Sequence, residues 1–405
     1  MIVRIAFRNL FRQRRRTVLT MLTMLGGFVL CSASIAWMDG AYNDVIDQFT
    51  RTRLGHIQIH QKEYRDRPKL QRNIKNAIAV GKPIDAEPRI HGWTWRLYAG
   101  GLGSVGTRSA GLQFVGIDPA RENNAMRFDK QVKEGRPLTA DPGSYEALLG
   151  RGLARRLSAS PGDTLVILSQ GADGSLANDL FYIVGIIESG NSMADQATVY
   201  VHLADAQELL VLENRVHEMV LVAHSPKHLF DIAADLAADI DRQDLVVEPW
   251  QVFAKSFYDA MVQDQRGAWI SLLIIMLLVS VGVLNTVLMS VLERTREYGL
   301  LIAMGTRPGE VMRMVISEVL ILASFSILLG AAFSLGINYM LTLHGISLPE
   351  TMTYGGVEFR VMHAELNVRS FLIPGGVVLA SAFLVAIIPA LRAAHVAPAQ
   401  AMRTV

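Results

Sequence analysis

The sequence predicts a membrane protein: four transmembrane α-helices, with one large mixed α/β domain inserted between helices 1 and 2. Three observations carry this reading. The 405 residues are 51% hydrophobic yet 19% charged, with a mean hydropathy of +0.28. That is too apolar for an ordinary soluble chain and too polar for an all-membrane one. Apolar stretches stand at 17–38, 267–292, 315–343 and 371–391, each at or above the roughly 20 helical residues that cross a ~30 Å hydrocarbon core. Residues 39–266 hold no further span and alternate strand-like with helix-like patterns. A net charge of +2 leaves no nucleic-acid footprint. The single cysteine, Cys31, excludes an intrachain disulfide, so the inserted domain must fold on its own core.

Residues 1–16 carry six arginines and no acid. Arg4, Arg8, Arg12 and Arg16 recur every four residues, which suits an interfacial amphipathic helix on the cytoplasmic side; a plain positive flank that sets orientation is the other reading. The span 17–38 competes with a cleaved signal peptide, but it exceeds the apolar length of about 7–15 residues expected there. Residues 39–266 begin and end in helical stretches, Gly40–Thr52 and Trp250–Gln265, that would extend the spans as a stalk. Between them, strands are expected at Leu54–His60, Ala110–Ile117, Ala147–Leu149, Thr164–Ser169, Phe181–Ile187, Thr198–Val201, Glu218–Val222 and Leu245–Glu248. Helices are expected at Arg151–Leu157, Ala204–Leu212 and Pro226–Ile240. Asp118-Pro119, Asp141-Pro142-Gly143, Pro161-Gly162-Asp163 and Gly171–Gly174 read as turns. Residues 344–370 form a shorter outer loop with a Gly355-Gly356 turn, and 392–405 a cytoplasmic tail.

The segment 293–314 is dense in charge and cannot lie in hydrocarbon. Its arginines place it in the cytoplasm. Gly305 can end one helix, Thr306 can cap the next, and Pro308 is tolerated in a first turn. A basic loop between two spans is the plain reading; a rigid docking element for a cytoplasmic partner is the sharper one.

The run E-R-T-R-E-Y-G-L-L-I-A-M-G-T from Glu293 resembles the cytoplasmic loop of FtsX/MacB-type ABC transporter permeases. The run Gly135–Leu168, with the earlier L-G-H-I-Q-I-H, resembles the MacB-like periplasmic core domain, and the tail Pro389–Arg403 resembles the way such chains close. The resemblance covers nearly the whole chain. It implies a multi-pass protein of the bacterial inner membrane, with both termini cytoplasmic and the large domain periplasmic. It also implies a coupling contact with an ATPase subunit through Glu293, Arg294, Arg296, Glu297, Gly305, Thr306, Arg307 and Glu310. Two ATPase copies would carry ATP and Mg, a second permease subunit (identical or paired) would complete the complex, and a periplasmic adaptor or chaperone is a further partner. The four-span layout is most similar to lipoprotein-releasing (LolC/LolE-type) permeases, which work by mechanotransmission. A MacB-like efflux permease for macrolides or peptides, an FtsX-like regulator of cell-wall hydrolases, and a membrane enzyme stand as alternatives.

No catalytic constellation supports the enzyme. The phosphate-cradling G-x-x-x-x-G-K-[ST] is missing, and Pro83 follows the Gly81-Lys82 pair, so no cofactor is expected on this chain. His56 and His60 lie roughly 13 Å apart along a strand, too far to share zinc with its bonds of about 2 Å, and read as solvated. Gly26-Gly27 and Gly330-Ala331-Ala332 suit close helix packing, Asn285 and Asn338 need partners on neighbouring helices, and Pro389 reads as a kink or a helix end. A lipid-anchored substrate keeps its acyl chains in an apolar place, at about 0.8 kcal/mol per methylene. The outer ends of the first two spans supply one: Ile35, Trp37, Met38 and Tyr42, with Trp269, Leu272 and Leu273. Interfacial anchoring is the plain reading of the two tryptophans.

Overall fold

The computed structural model describes residues 14–354 and 357–395. The expected interfacial helix, the Gly355-Gly356 turn and most of the cytoplasmic tail lie outside the described residues. The chain divides into two compact units. One comprises Met1–Asp44, Met261–Pro349 and Val361–Val405; the other comprises Val45–Ala260 and Glu350–Arg360.

The helices are α1 (Arg14–Phe49), α2 (Ala77–Ala86), α3 (Pro119–Met126), α4 (Arg151–Leu157), α5 (Ser192–Asp195), α6 (Leu203–Leu210), α7 (Leu229–Ile240), α8 (Trp250–Phe253), α9 (Lys255–Glu293), α10 (Thr295–Ala303), α11 (Pro308–His344) and α12 (Arg369–Ala394). The strands are β1 (Ile57–Gln61), β2 (Ile74–Lys75), β3 (Ile90–Val105), β4 (Arg108–Ile117), β5 (Val132–Gly135), β6 (Glu146–Gly150), β7 (Thr164–Gln170), β8 (Leu176–Ile187), β9 (Thr198–His202), β10 (Arg215–Val216), β11 (Glu218–Ala223), β12 (Leu245–Pro249), β13 (Ile346–Tyr354) and β14 (Val357–Met362).

Among the described residues of the membrane unit, four helices are long and apolar enough to cross a bilayer: α1, α9, α11 and α12. α1 runs 36 residues and α9 runs 39, so each outlasts the hydrocarbon core by several turns. Both stalk stretches are helical, although Ala254 breaks α8 from α9. The core joins Met24 and Phe28 of α1 to Val283 and Val287 of α9, Val319 and Ala323 of α11, and Ala382 and Ala386 of α12. Small residues permit this closeness. A Cβ on Gly330 would stand 2.8 Å from the Phe28 ring, and one on Gly27 2.7 Å from Val279, whereas Gly26 meets nothing. Asn338 finds the expected neighbour, donating to Ser32 Oγ of α1 at 3.2 Å. Asn285 does not; it stands on an exposed face of α9. Pro389 does not end α12, which continues to Ala394.

The outer unit is built on a ten-stranded sheet in the order β12-β1-β11-β3-β4-β9-β6-β8-β5, with β7 pairing both β3 and β8. Parallel pairs (β4 with β9, β6 with β8) mix with antiparallel ones. Because β7 bridges β3 and β8, the strands β3, β4, β9, β6, β8 and β7 close a ring. β3 is 16 residues long and was not among the expected strands. Close approach accounts for two of its glycines: a Cβ on Gly101 would stand 2.7 Å from the Leu168 carbonyl oxygen of β7, and one on Gly103 would run into the Leu112 side chain of β4.

Two further expectations change. Asp118-Pro119 starts a helix rather than a turn: Asp118 accepts from the backbone N–H groups of Ala120 and Arg121, both at 3.1 Å, and Pro119 is the first helical residue of α3. His56 and His60 are buried, not solvated. β1 lies between β11 and β12 and is covered on both faces, so Gln58 and His60 are as enclosed as Ile57 and Ile59. Burial first, then the Arg51 charge at His56 and the Arg65 charge at His60, lowers both imidazoles to about 4. His56 is therefore a neutral acceptor for the Ala223 N–H at 3.0 Å.

Candidate functional site

The element between the second and third spans is a braced helix. α9 ends at Glu293 and α10 begins at Thr295, leaving Arg294 alone at the joint. α10 closes on a tight turn in which the Gly305 N–H reaches the Ile302 carbonyl at 3.0 Å. Gly305 has φ +98°, where a side chain would strain the backbone. The cap of α11 is one residue later than the sequence suggests: Arg307, not Thr306, is the N-cap. Glu310 at the third helical position accepts from the Arg307 backbone N–H at 3.3 Å, and Pro308 is the first helical residue.

Arg294 is turned inward. It is 8% exposed. Its Nη1 donates to both Glu318 carboxylate oxygens of α11, at 3.1 and 3.0 Å. Its Nε donates to Glu297 of α10 at 3.0 Å. The guanidinium carbon lies 5.3 Å from the Tyr298 ring centroid. Burial disfavours the Arg294 charge, but Tyr298 and Glu318 outweigh it and push the pKa up. Tyr298, 1% exposed, joins Val291 of α9, Val311, Met314 and Val315 of α11, and Ala390 and Ala393 of α12 in one cluster. A cavity of about 30 Å³ beside Glu318 is lined by the hydroxyl residues Thr17, Thr20, Thr286 and Ser290.

The other residues of the element divide by exposure. Glu293, Arg296, Gly305, Arg307 and Glu310 are exposed, and Glu297 and Thr306 are half-buried. Leu300 and Met304 are exposed as well. With Arg296 they recur every four residues, so they form one outward stripe of mixed charge and apolar surface. Sequence reasoning passed over Tyr298, Glu318, Leu300 and Met304 as functional residues. The signal for Glu318 was present: a lone carboxylate one turn inside an apolar segment needs a buried counter-charge.

The residues expected to receive acyl chains are mostly packed within the membrane unit. Ile35, Met38 and Leu272 are buried, and Leu273 is 66% exposed. Tyr42 donates its hydroxyl to Asp264 of α9 at 2.6 Å. The half-buried Trp269 carries the Arg369 guanidinium 5.2 Å from its ring centroid. Trp37 is half-buried, and its indole N–H has no hydrogen-bond partner among the described residues.

Four apolar helices, a mixed α/β domain between the first two, and a short helix tied to the third of those helices by the Arg294–Glu318 pair define a multi-pass membrane protein. Known proteins are similar to this chain. Residues 17–239 match the family model of the MacB-like periplasmic core domain, and 269–398 that of the FtsX-like permease C-terminal domain. The chain belongs to the FtsX/MacB-type family and is an ABC transporter permease of the LolC/MacB/FtsX type. It is 21% identical over 422 residues to the lipoprotein-releasing system transmembrane protein LolC of Neisseria meningitidis serogroup B, covering 98% of each chain. It is 25% identical over 360 residues to the macrolide export ATP-binding/permease protein MacB 2 of Aeromonas hydrophila, covering 84% of this chain and 53% of that protein. The crystal structure of the periplasmic region of MacB from Actinobacillus actinomycetemcomitans overlaps 50% of this chain and 92% of its own, at 16% identity and a TM-score of 0.37.

Proposed function

We propose that this chain is the permease subunit of an inner-membrane ABC transporter that releases lipid-anchored proteins toward the outer membrane by mechanotransmission. ATP and Mg sit on two copies of a separate ATPase subunit, and a second permease subunit completes the complex. Both termini and α10 face the cytoplasm, and the large domain faces the periplasm. The observation that carries this reading is the brace on α10. The covalent path from α10 to α11 runs through the Gly305 turn, which can absorb a push as a hinge. The Arg294–Glu318 pair bypasses that turn, so displacement of α10 reaches the third span directly. The stripe Arg296, Leu300 and Met304 meets the ATPase, with Arg307, Glu310, Glu293 and Thr306 around it; Arg294 and Glu297 serve from behind.

The lipoprotein substrate is supported by the full-length match to LolC-type relatives. The match to the MacB-type relative favours a second reading, efflux with a periplasmic adaptor. Purification from native membranes tests the proposal. An ATPase should copurify with the wild type and be lost with Leu300→Asp. A photo-crosslinker at Leu273 should capture a lipoprotein before ATP is added and release it afterwards. Capture of a soluble molecule instead establishes efflux, and purification without any ATPase overturns the proposed ATPase partnership. Cysteine labelling from outside should reach position 171 and fail at 309; the reverse pattern overturns the orientation.

A further inference from the structure

Part of the outer-domain sheet is polar where a covered face is ordinarily apolar. His60, Glu218 and Arg96 stand side by side across β1, β11 and β3. Tyr98 and Tyr200 lie two residues further along β3 and β9, joined through Val115 of β4. α3 crosses this face and delivers Glu122, whose Oε1 accepts from Arg96 Nη2 at 2.5 Å. Glu218 is 9% exposed, and one of its carboxyl oxygens has no hydrogen-bond partner among the described residues. Burial raises its pKa, against the pull of Arg96 and Arg65.

Arg96, Tyr98, Glu122, Tyr200 and Glu218 floor a cleft of about 440 Å³, within the roughly 300–1,000 Å³ typical of small-molecule sites. A purely structural ion pair needs neither an open cleft nor a carboxylate left with a spare oxygen.

The lining restricts the ligand. Arg65 and Arg96 balance Glu122 and Glu218, so neither a cation nor an anion is favoured. Carboxylates only accept and guanidinium groups only donate. With both kinds around one space, the complementary group is one that donates and accepts at the same atom, which a hydroxyl does. Tyr98, Tyr200 and Phe128 add aromatic surface that suits the C–H face of a saturated ring.

We propose that this cleft binds an uncharged polyhydroxylated ligand, a mono- or disaccharide. Glu218 accepts from its hydroxyls, Arg65 and Gln113 donate to them, and Tyr98 and Tyr200 pack against the ring. The site belongs to the outer domain and requires neither ATP nor an ATPase, so its test is independent of the transport reading.

The full-length protein in lipid nanodiscs is titrated with maltose, sucrose and chitobiose by calorimetry and saturation-transfer NMR, with the tripeptide Gly-Ser-Gly as a control. At least one disaccharide should bind, with saturation concentrated on ring C–H protons. Tyr98→Ala and Gln113→Ala should each weaken binding by about tenfold or more, equivalent to about 1.4 kcal/mol. Gln113 is exposed, so its replacement reports on binding even where Tyr98→Ala disturbs the fold. Three results overturn the proposal: no disaccharide binds, affinity is unchanged in Gln113→Ala, or the tripeptide binds and the sugars do not.

Discussion

Arg96–Glu122 in the outer domain and Arg294–Glu318 in the membrane unit are both guanidinium–carboxylate pairs with a buried arginine, the first with a buried carboxylate and the second with a half-buried one, and their surroundings separate their uses. Arg96 stands on a sheet face beside a second carboxylate, Glu218, under an open cleft. Arg294 stands at a joint between helices, stacked near Tyr298 and bonded to carboxylates on two helices at once. Taking both charges out of water costs more than their attraction returns unless the geometry is good. A protein that keeps such a pair can use it to present polar groups to a ligand or to hold two elements in one relation. The outer pair suits the first use and the inner pair the second.

Single substitutions break this contrast unequally. The largest effect is expected from Arg96→Met, which leaves Glu122 (1% exposed) without its counter-charge. Removing one partner of a buried pair costs about 3–5 kcal/mol, measurable as a lowered unfolding midpoint of the outer domain. Arg96→Met combined with Glu122→Leu should recover most of that loss. If the double variant is as unstable as the single, the unpaired charge is not the cause.

Acid comes next. His56 and His60 are neutral in the fold, with pKa lowered to about 4, against about 6.5 when unfolded. Between those values the unfolded chain binds more protons, so stability is complete above about pH 6.5 and falls as the pH drops toward 4, by about 3 kcal/mol per histidine. Thermal melts across that window should show the slope, and His60→Gln should flatten it. An unchanged slope in His60→Gln removes His60 from the account.

The inner pair is read in coupling rather than in folding. Arg294→Met and Glu318→Met should each lower substrate-stimulated ATP hydrolysis by about tenfold, equivalent to about 1.4 kcal/mol of coupling, while the ATPase stays bound. The double substitution should restore stability without restoring coupling. Single variants that keep full stimulation would show that the brace transmits nothing. The smallest effect has the opposite sign. Glu218→Gln replaces a buried carboxylate that lacks a full set of partners, so the outer domain should gain about 1 kcal/mol in denaturant unfolding. A loss of stability instead would mean that the Glu218 charge is required by Arg65 and Arg96.

Legibility in the sequence followed the range of the interaction involved. The four spans, the long insertion and the ends of α10 and α11 could be read because each rests on local chemistry: apolar length, the Gly305 turn, Pro308 at a helix start. β7 and β9 were legible as β-branched and apolar runs between turns. β3 was not, because the reason for Gly101, its close approach to the Leu168 carbonyl of β7, comes from a strand distant in sequence. His60 was misjudged because alternation along β1 assumes one open face, and only the arrangement of β11, β12 and their coverings shows that none is open.

The candidate site divides the same way. Glu293, Arg296, Arg307 and Glu310 were recognisable by charge and placement, and the loop sequence carried the family resemblance. That Arg294 turns inward to Glu318, 24 positions along the chain, was not recognisable, since nothing local selects one partner among several acids. Sequence alone determined the class of protein, its spans and the location of the charged segment between the second and third of them, all properties of composition and short-range pattern. Tertiary structure decided which charges are buried and which partner each has. A buried charge is stable only through groups that distant segments bring within hydrogen-bond distance, and that is a property of the packed chain.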